Sequence, residues 1–213
     1  MRVVFLGSLI ILALLGGWLW LGQSNEENLK ANNVAPDSVT GQAPTVHNAL
    51  AAPMERLSER RIIKPFGIFI TPDNSPVLPE RFSGYHTGVD FEILAGEENL
   101  GVTVLAICDG ELLLKRWAGG YGGVAVQTCQ INNEPVTVIY GHVALESIKY
   151  DVGDRISRGA TLGMLAQPGP ATDNERQHLH LGIHKGSEVN LLGYVPSQSQ
   201  LESWINPQLT FMY

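Results

Sequence analysis

The chain has 213 residues, of which 44% are hydrophobic, and it contains 23 glycines and 12 prolines. The formal net charge is −7, and no cluster of lysine and arginine is available to neutralise phosphates, which argues against a nucleic-acid partner. The many glycines and prolines indicate turns and short elements, and so favour a β-rich domain over a helical one.

The first predicted element is an apolar N-terminal segment, residues 1–22. After Arg2, the stretch from Val3 to Gly22 carries no charge. About 20 apolar residues at roughly 1.5 Å each can cross a hydrocarbon core of roughly 30 Å. The charge distribution places the N-terminus in the cytoplasm and exports the rest. We therefore predict a transmembrane anchor. A cleaved signal peptide is the alternative, although Trp18–Gly22 is a poor cleavage site. Both interpretations place the remaining chain outside the cytoplasm, in a periplasm or at the cell surface.

Residues 23–60 are polar and mixed, with no sustained period of 2 or 3.6. They predict a flexible linker that carries the following domain away from the membrane. His47 falls in this linker and is interpreted as a solvated residue. Residues 54–61 are compatible with one or two helical turns at the edge of the domain.

Residues 61–213 are predicted to form a single β domain. Short β-rich runs alternate with glycine-containing turns, the runs being GIFIT, VDFEIL, VTVLAIC, ELLLKRW, VAVQTC, VTVIYGHV, ATLGMLA and LHLGIHK. This punctuation predicts an all-β fold, with antiparallel sheets or a sandwich. A hairpin is expected around the glycine-rich residues 119–123, and a short, weak helix at 198–205.

The two cysteines, Cys108 and Cys129, would lie near the open end of that hairpin. Cysteine pairs in exported proteins commonly form disulfides. Antiparallel pairing of the hairpin strands predicts a Cys108–Cys129 disulfide, provided that the strand register brings the two residues together. Two small buried hydrophobic residues are the alternative. A metal-binding role is disfavoured because neither cysteine stands in a C-x-x-C pattern.

Histidines and one aspartate form two local patterns. His86 and Asp90 stand four residues apart near the start of a predicted strand, and His178 and His180 stand two apart within another. Alternation along a strand places His178 and His180 on one face and the intervening leucines toward the core. His142 follows a third strand. Catalytic zinc takes three histidine or carboxylate ligands and keeps one position for water, so this set suits a zinc site with two assisting histidines.

Taken together, these motifs resemble the lysostaphin/LytM-type peptidoglycan metallopeptidase family. HTGVDFE, DG-x-L, GGYGG, YGHV, VGDRISRGATLG and QHLHLGIHKG occur in the family's order, over about residues 65–186. The resemblance implies a β fold of the duplicated-hybrid-motif type with a substrate groove on an antiparallel sheet. It also implies a zinc-activated water that attacks a peptide bond of bacterial peptidoglycan.

By position, the resemblance implies that His86, Asp90 and His180 are zinc ligands. It implies that His142 and His178 are the catalytic histidines, which orient and deprotonate the water and stabilise the oxyanion. Tyr121, in the glycine-rich hairpin, would either line the groove or be a simple turn aromatic. Two features depart from the family pattern: residues 171–177 form a longer, charged loop that predicts an altered groove, and His184 is interpreted as a satisfied structural histidine.

Two other functions compete with a peptidase. A catalytically silent wall-binding module that regulates other wall hydrolases would suit the anchor and linker, but the five retained residues argue against it. A non-haem iron oxygenase also uses two histidines and a carboxylate. Its usual H-x-D spacing differs from the H-x-x-x-D of this chain.

Overall fold

A computed structural model describes residues 50–211 of the chain. The predicted anchor over 1–22, and the linker up to residue 49, lie outside this range, so both stay predictions. Within the described part of the chain, no helix is long and apolar enough to cross a membrane.

Short antiparallel strands dominate residues 50–211, and the prediction of an all-β domain is confirmed. The strands are β1 (Phe69–Ile70), β2 (Gly84–His86), β3 (Gly88–Glu92), β4 (Thr103–Leu105), β5 (Gly110–Ala118), β6 (Gly122–Ile131), β7 (Glu134–Gly141), β8 (Arg155–Ile156), β9 (Thr161–Met164), β10 (His178–Lys185), β11 (Tyr194–Val195) and β12 (Trp204–Ile205). Single 3-10 segments occur at Leu57–Glu59, Leu145–Ser147, Pro170–Thr172 and Gln198–Ser203, and α1 is Pro207–Thr210.

The main sheet runs in the order β12-β10-β7-β6-β5-β8, and β3 also pairs with β10. β3 and β12 share one edge of β10: β3 opposes residues 178–182, and β12 opposes residues 183–184. On its other edge, β10 pairs with β7. Two smaller sheets, β1-β2-β11 and β4-β9, complete the described part. β10 therefore lies between the strands that carry the other histidine motifs.

Of the two hydrophobic core clusters in residues 50–211, the smaller contains Tyr121, Val124, Val126, Ile139 and Trp204, and the larger fills one side of the main sheet. Leu179, Leu181 and Ile183 of β10 are completely buried there, which confirms the predicted alternation along this strand. His178 and His180, which alternate with the two leucines, point to the opposite face and are almost as well covered, since β10 is buried on both sides over residues 178–183. A strand buried on both faces can hold polar side chains only where those side chains have partners.

The end of the predicted linker belongs to the folded domain. Met54 is fully buried in the core, and the backbone of Ala51 donates to Ile107 O at 2.8 Å. Arg60 makes two bonds to the carboxylate of Glu97, at 2.7 and 3.0 Å. These contacting residues are spaced irregularly along the chain, so the segment shows neither a helical nor a strand periodicity. For that reason the sequence pattern assigned residues 50–60 to the linker.

The hairpin expected around residues 119–123 is confirmed: β5 and β6 pair from Leu112 opposite Gln127 to Ala118 opposite Gly122. The segment expected to be a short, weak helix at 198–205 forms a 3-10 helix over Gln198–Ser203 and then ends in strand β12. In β12, Trp204 opposes His184 of β10, and this pairing marks the end of the helix.

Cys108 and Cys129 form a disulfide, with their Cα atoms 5.9 Å apart. It joins the segment before β5 to β6 across 21 residues of sequence.

We expect the Cys108→Ala/Cys129→Ala variant to lose about 3 kcal/mol of unfolding free energy, because the unfolded chain without the disulfide gains loop entropy. Urea denaturation measures the loss. Chemical reduction of the wild-type chain should lower the midpoint similarly, and an unchanged midpoint in both experiments would contradict a stabilising role.

Candidate metal centre

Three strands bring His86, Asp90 and His180 together. In the antiparallel pairing of β3 with β10, Asp90 lies directly opposite His180. β2 ends at His86 and is separated from β3 by a single residue, so the chain turns and carries His86 to the same place. Gly88 makes this approach feasible, because a Cβ there would lie 2.7 Å from His180 Nε2 and 2.6 Å from Leu181 O.

The facing atoms of these residues are close together. His86 Nε2 lies 3.0 Å from His180 Nδ1. Asp90 Oδ1 lies 3.3 Å from the first of these nitrogens and 3.2 Å from the second. All three side chains are buried. They form a group of two imidazole nitrogens and one carboxylate oxygen that meet at a common centre.

This donor set fits zinc. Catalytic zinc sites use histidine nitrogen and carboxylate oxygen, and ligands about 2.0–2.1 Å from a tetrahedral ion lie about 3.3–3.4 Å apart. The separations of 3.0, 3.2 and 3.3 Å are close to that requirement. The outer nitrogen of His86, Nδ1, is 3.3 Å from Pro65 O, which fixes the tautomer with a free Nε2 lone pair facing the centre.

The charge state of the group also suits a cation. Burial favours the neutral form of Asp90, but the adjacent His178 and His86 hold the pKa of its carboxyl well below the usual range. Burial lowers the pKa of His180 to about 4, despite the carboxylate beside it. At neutral pH the centre therefore offers an ionised carboxylate and an unprotonated imidazole.

His178 and His142 lie beside this centre. His178 Nδ1 donates to Arg176 O at 2.9 Å, and His178 Nε2 lies 3.3 Å from Asp90 Oδ2. The ring of His142 lies 4.2 Å from that of His178. Two imidazoles thus stand at the edge of the three-donor group without belonging to it.

His142 follows the last residue of β7 and has a φ of 61°, in the left-handed region that non-glycine residues rarely adopt. Such backbone strain is characteristic of functional positions. Here the left-handed backbone interrupts the strand's alternation, and the His142 side chain lies beside His178. Burial lowers the pKa of His142 well below its ordinary value, and the neighbouring His178 lowers it further. Among residues 50–211, nothing forms a hydrogen bond with His142 Nδ1.

A cavity of about 280 Å³ opens onto these five residues. Tyr121 forms part of its wall, with the hydroxyl 3.5 Å from His180 Nε2, and burial raises the pKa of this phenol. Gly141 accommodates the tyrosine ring, since a Cβ there would lie 2.5 Å from Tyr121 Cδ1. Of the two interpretations of Tyr121, the structure places it in the cavity wall.

The charged loop 171–177 closes one side of the cavity. Asp173 Oδ2 accepts from Gly120 N at 2.7 Å and from Arg81 at 3.2 Å, which ties the loop to the tip of the glycine-rich hairpin. Glu175 and Arg176 line the cavity itself. The loop therefore shapes the space in front of the metal centre.

His184, by contrast, lies outside the site. Its Nε2 is 3.3 Å from the side-chain nitrogen of Asn190, and its ring packs edge-on against Trp204 at 4.8 Å. These contacts keep His184 away from the metal centre, but its buried Nδ1 has no hydrogen-bond partner within residues 50–211, so the histidine is only partly satisfied. His47 lies outside the described residues.

Three residues that the sequence motifs did not single out border the centre. Arg176 contacts Asp90 Oδ2 at 3.1 Å. Tyr194 packs its ring 5.1 Å from that of His86. Lys64 contacts the Tyr194 hydroxyl at 3.2 Å and forms a buried ion pair with Glu80 at 2.6 Å. The charged character of loop 171–177 was the only sequence signal for any of them.

Comparisons with known proteins agree with this geometry. The family model described as Peptidase family M23 matches residues 84–191, a range that contains Asp90 and five of the six histidines, all except His47. A search of curated protein sequences finds no match.

Several solved structures are similar. The catalytic domain of lysostaphin from Staphylococcus simulans is 19% identical, with 72% of this chain and 92% of that chain covered and a TM-score of 0.49. A zinc-containing peptidase from Vibrio cholerae is 22% identical, with 58% and 33% covered and a TM-score of 0.42. Csd3 of Helicobacter pylori is 25% identical, with 72% and 38% covered and a TM-score of 0.43. At these scores the similarities carry no argument about activity.

Proposed function

The chain belongs to peptidase family M23, and from that premise we propose that it is a zinc endopeptidase that hydrolyses peptide bonds of bacterial peptidoglycan. The observation that supports this most directly is the buried convergence of His86 Nε2, Asp90 Oδ1 and His180 Nδ1, separated by 3.0 to 3.3 Å. Zinc held by these three atoms would lower the pKa of a water molecule toward neutrality and polarise the scissile carbonyl.

His178 is suited to accept the proton of the attacking water. Its Nδ1 donates to Arg176 O, so Nε2 is the nitrogen that faces the site and would take the proton. General bases are recognised first by this geometry and then by their protonation state. His142, beside it, completes a pair of imidazoles that can stabilise the charge developing on the substrate oxygen.

The substrate peptide would lie in the cavity beside Tyr121. Its hydroxyl points toward His180 Nε2 and can donate to a group held near the centre. We further propose that the domain acts outside the cytoplasm on a membrane tether. The apolar residues 1–22 and the polar residues that follow them support this proposal.

The test combines metal analysis with cleavage of purified peptidoglycan by the full-length chain. We expect close to one zinc per chain and new peptide ends, whose identity by mass spectrometry names the bond. Folded protein that holds no zinc and releases no peptide would contradict the proposal. Bound zinc without cleavage of walls with several cross-link types would favour the silent wall-binding module.

A further inference from the structure

Arg176 connects the metal centre to a second carboxylate, Glu92. Asp90 and Glu92 are two residues apart on β3 and therefore share a face. Glu92 lies opposite His178 in the register, so Arg176, just before β10, reaches both carboxylates. Its Nε lies 3.0 Å from each oxygen of Glu92, and one terminal nitrogen lies 2.5 Å from Glu92 Oε1 and 3.1 Å from Asp90 Oδ2.

The two carboxylate oxygens of Asp90 therefore contact different groups. Oδ1 faces His86 and His180, while Oδ2 faces Arg176 and His178. A carboxylate with both oxygens free can rotate, whereas a bond from a rigid guanidinium to Oδ2 fixes which oxygen faces the centre.

A positively charged side chain such as Arg176 repels a metal ion bound nearby, unless a negative charge neutralises the side chain. Glu92 supplies that neutralisation with a bidentate pair, and its side chain is only 12% exposed. Arg176 also keeps one buried terminal nitrogen without a hydrogen-bond partner within residues 50–211. Leaving a buried donor unsatisfied destabilises the fold, so the arginine is poorly explained as a stabilising pair alone.

We propose that Arg176, held by Glu92, is a positioning residue that orients Asp90 for metal binding. The proposal rests on the function proposed above, because it concerns the same three-donor centre. In the sequence, Arg176 belongs to the charged loop 171–177 and stands two residues before His178. Outer partners that orient metal ligands typically change metal affinity by about 10–100-fold when removed.

The test is the zinc affinity of the full-length Arg176→Met/Glu92→Gln variant, measured by competition with a chromophoric chelator. Both charges are removed together, so the net charge near the centre is unchanged and only the orienting bonds are lost. We expect zinc affinity to fall by about 10–100-fold relative to the wild-type chain. Affinity within threefold of wild type, in a variant whose thermal unfolding shows that it is folded, would overturn the proposal.

A matched control separates positioning from general stability. Arg60 and Glu97 form a similar two-bond pair that does not line the cavity at the metal centre. Arg60 also donates to the backbone oxygen of Glu92 at 3.2 Å, but it makes no bond to the Glu92 carboxylate that holds Arg176. The Arg60→Met/Glu97→Gln variant should unfold at a lower temperature and keep wild-type zinc affinity, whereas an equal affinity loss in both variants would show a stability effect and refute the positioning role. If the wild-type chain binds no zinc, the proposed function fails. If the wild-type chain binds zinc and the Arg176→Met/Glu92→Gln variant binds it equally well, the positioning role of Arg176 is refuted while the proposed function stands.

Discussion

Replacement of His180 by alanine is expected to remove bound zinc and to reduce peptidoglycan cleavage by about a thousandfold or more. His180 Nδ1 is the donor closest to His86 Nε2, at 3.0 Å, and it also faces Asp90 Oδ1. Without it, two protein donors remain, fewer than the three that catalytic zinc sites use. Loss of the metal removes several kcal/mol of transition-state stabilisation, and each 1.36 kcal/mol corresponds to tenfold in rate.

The measurements are zinc content of the purified variant and release of peptide ends from peptidoglycan. His184→Ala is the matched control, because His184 lies on the same strand but contacts Asn190 and Trp204 instead of the centre. The control should keep both zinc and activity. If His180→Ala retained full zinc occupancy and turnover, the assignment of this residue as a ligand would be wrong.

Replacement of His178 by alanine is expected to have a different outcome: zinc is retained, and turnover falls by about 10²–10⁴-fold. His178 contacts Asp90 Oδ2 from outside the three-donor group, so the donors themselves stay in place. What is lost is the acceptor nitrogen for the proton of the attacking water, and general acid–base catalysis typically contributes a factor of this size.

This variant also separates an enzyme from a silent binding module. The comparison measures cleavage rate, zinc content and binding to intact peptidoglycan with the same preparation. An enzyme should lose turnover while zinc and binding persist. If the wild-type chain and His178→Ala bind the wall equally and neither cleaves it, the regulatory interpretation replaces the catalytic one.

The β class of the domain could be predicted because its evidence is local. Alternation along residues 178–183 places His178 and His180 on one face and Leu179 and Leu181 in the core, and the structure has this arrangement. The glycine-rich turn at 119–123 predicted the hairpin for the same reason: a tight turn between two β-forming runs needs no information from elsewhere in the chain.

The ligand set depended on more than local pattern. Residue types and spacing indicated a zinc site, and the resemblance to the lysostaphin/LytM-type family implied which residues would form it. That Asp90 faces His180 depends on the pairing of β3 with β10, across 90 residues of sequence. Such a register is determined by packing of the whole sheet, because each strand alone is compatible with several partners.

Only the tertiary structure revealed Arg176 as a neighbour of Asp90. Arginine in a charged loop is ordinarily a solvated residue, and nothing in its sequence context indicates a bond to a carboxylate on a distant strand. The same holds for residues 50–60, where Met54 and Arg60 anchor an irregular segment without any period. Local periodicity and turn chemistry thus determined the type of fold, while residue types, their spacing and the family resemblance indicated the candidate residues. Long-range strand pairing decided which of these residues meet and what holds them, because that pairing depends on the buried surface of the whole domain and no single segment carries it.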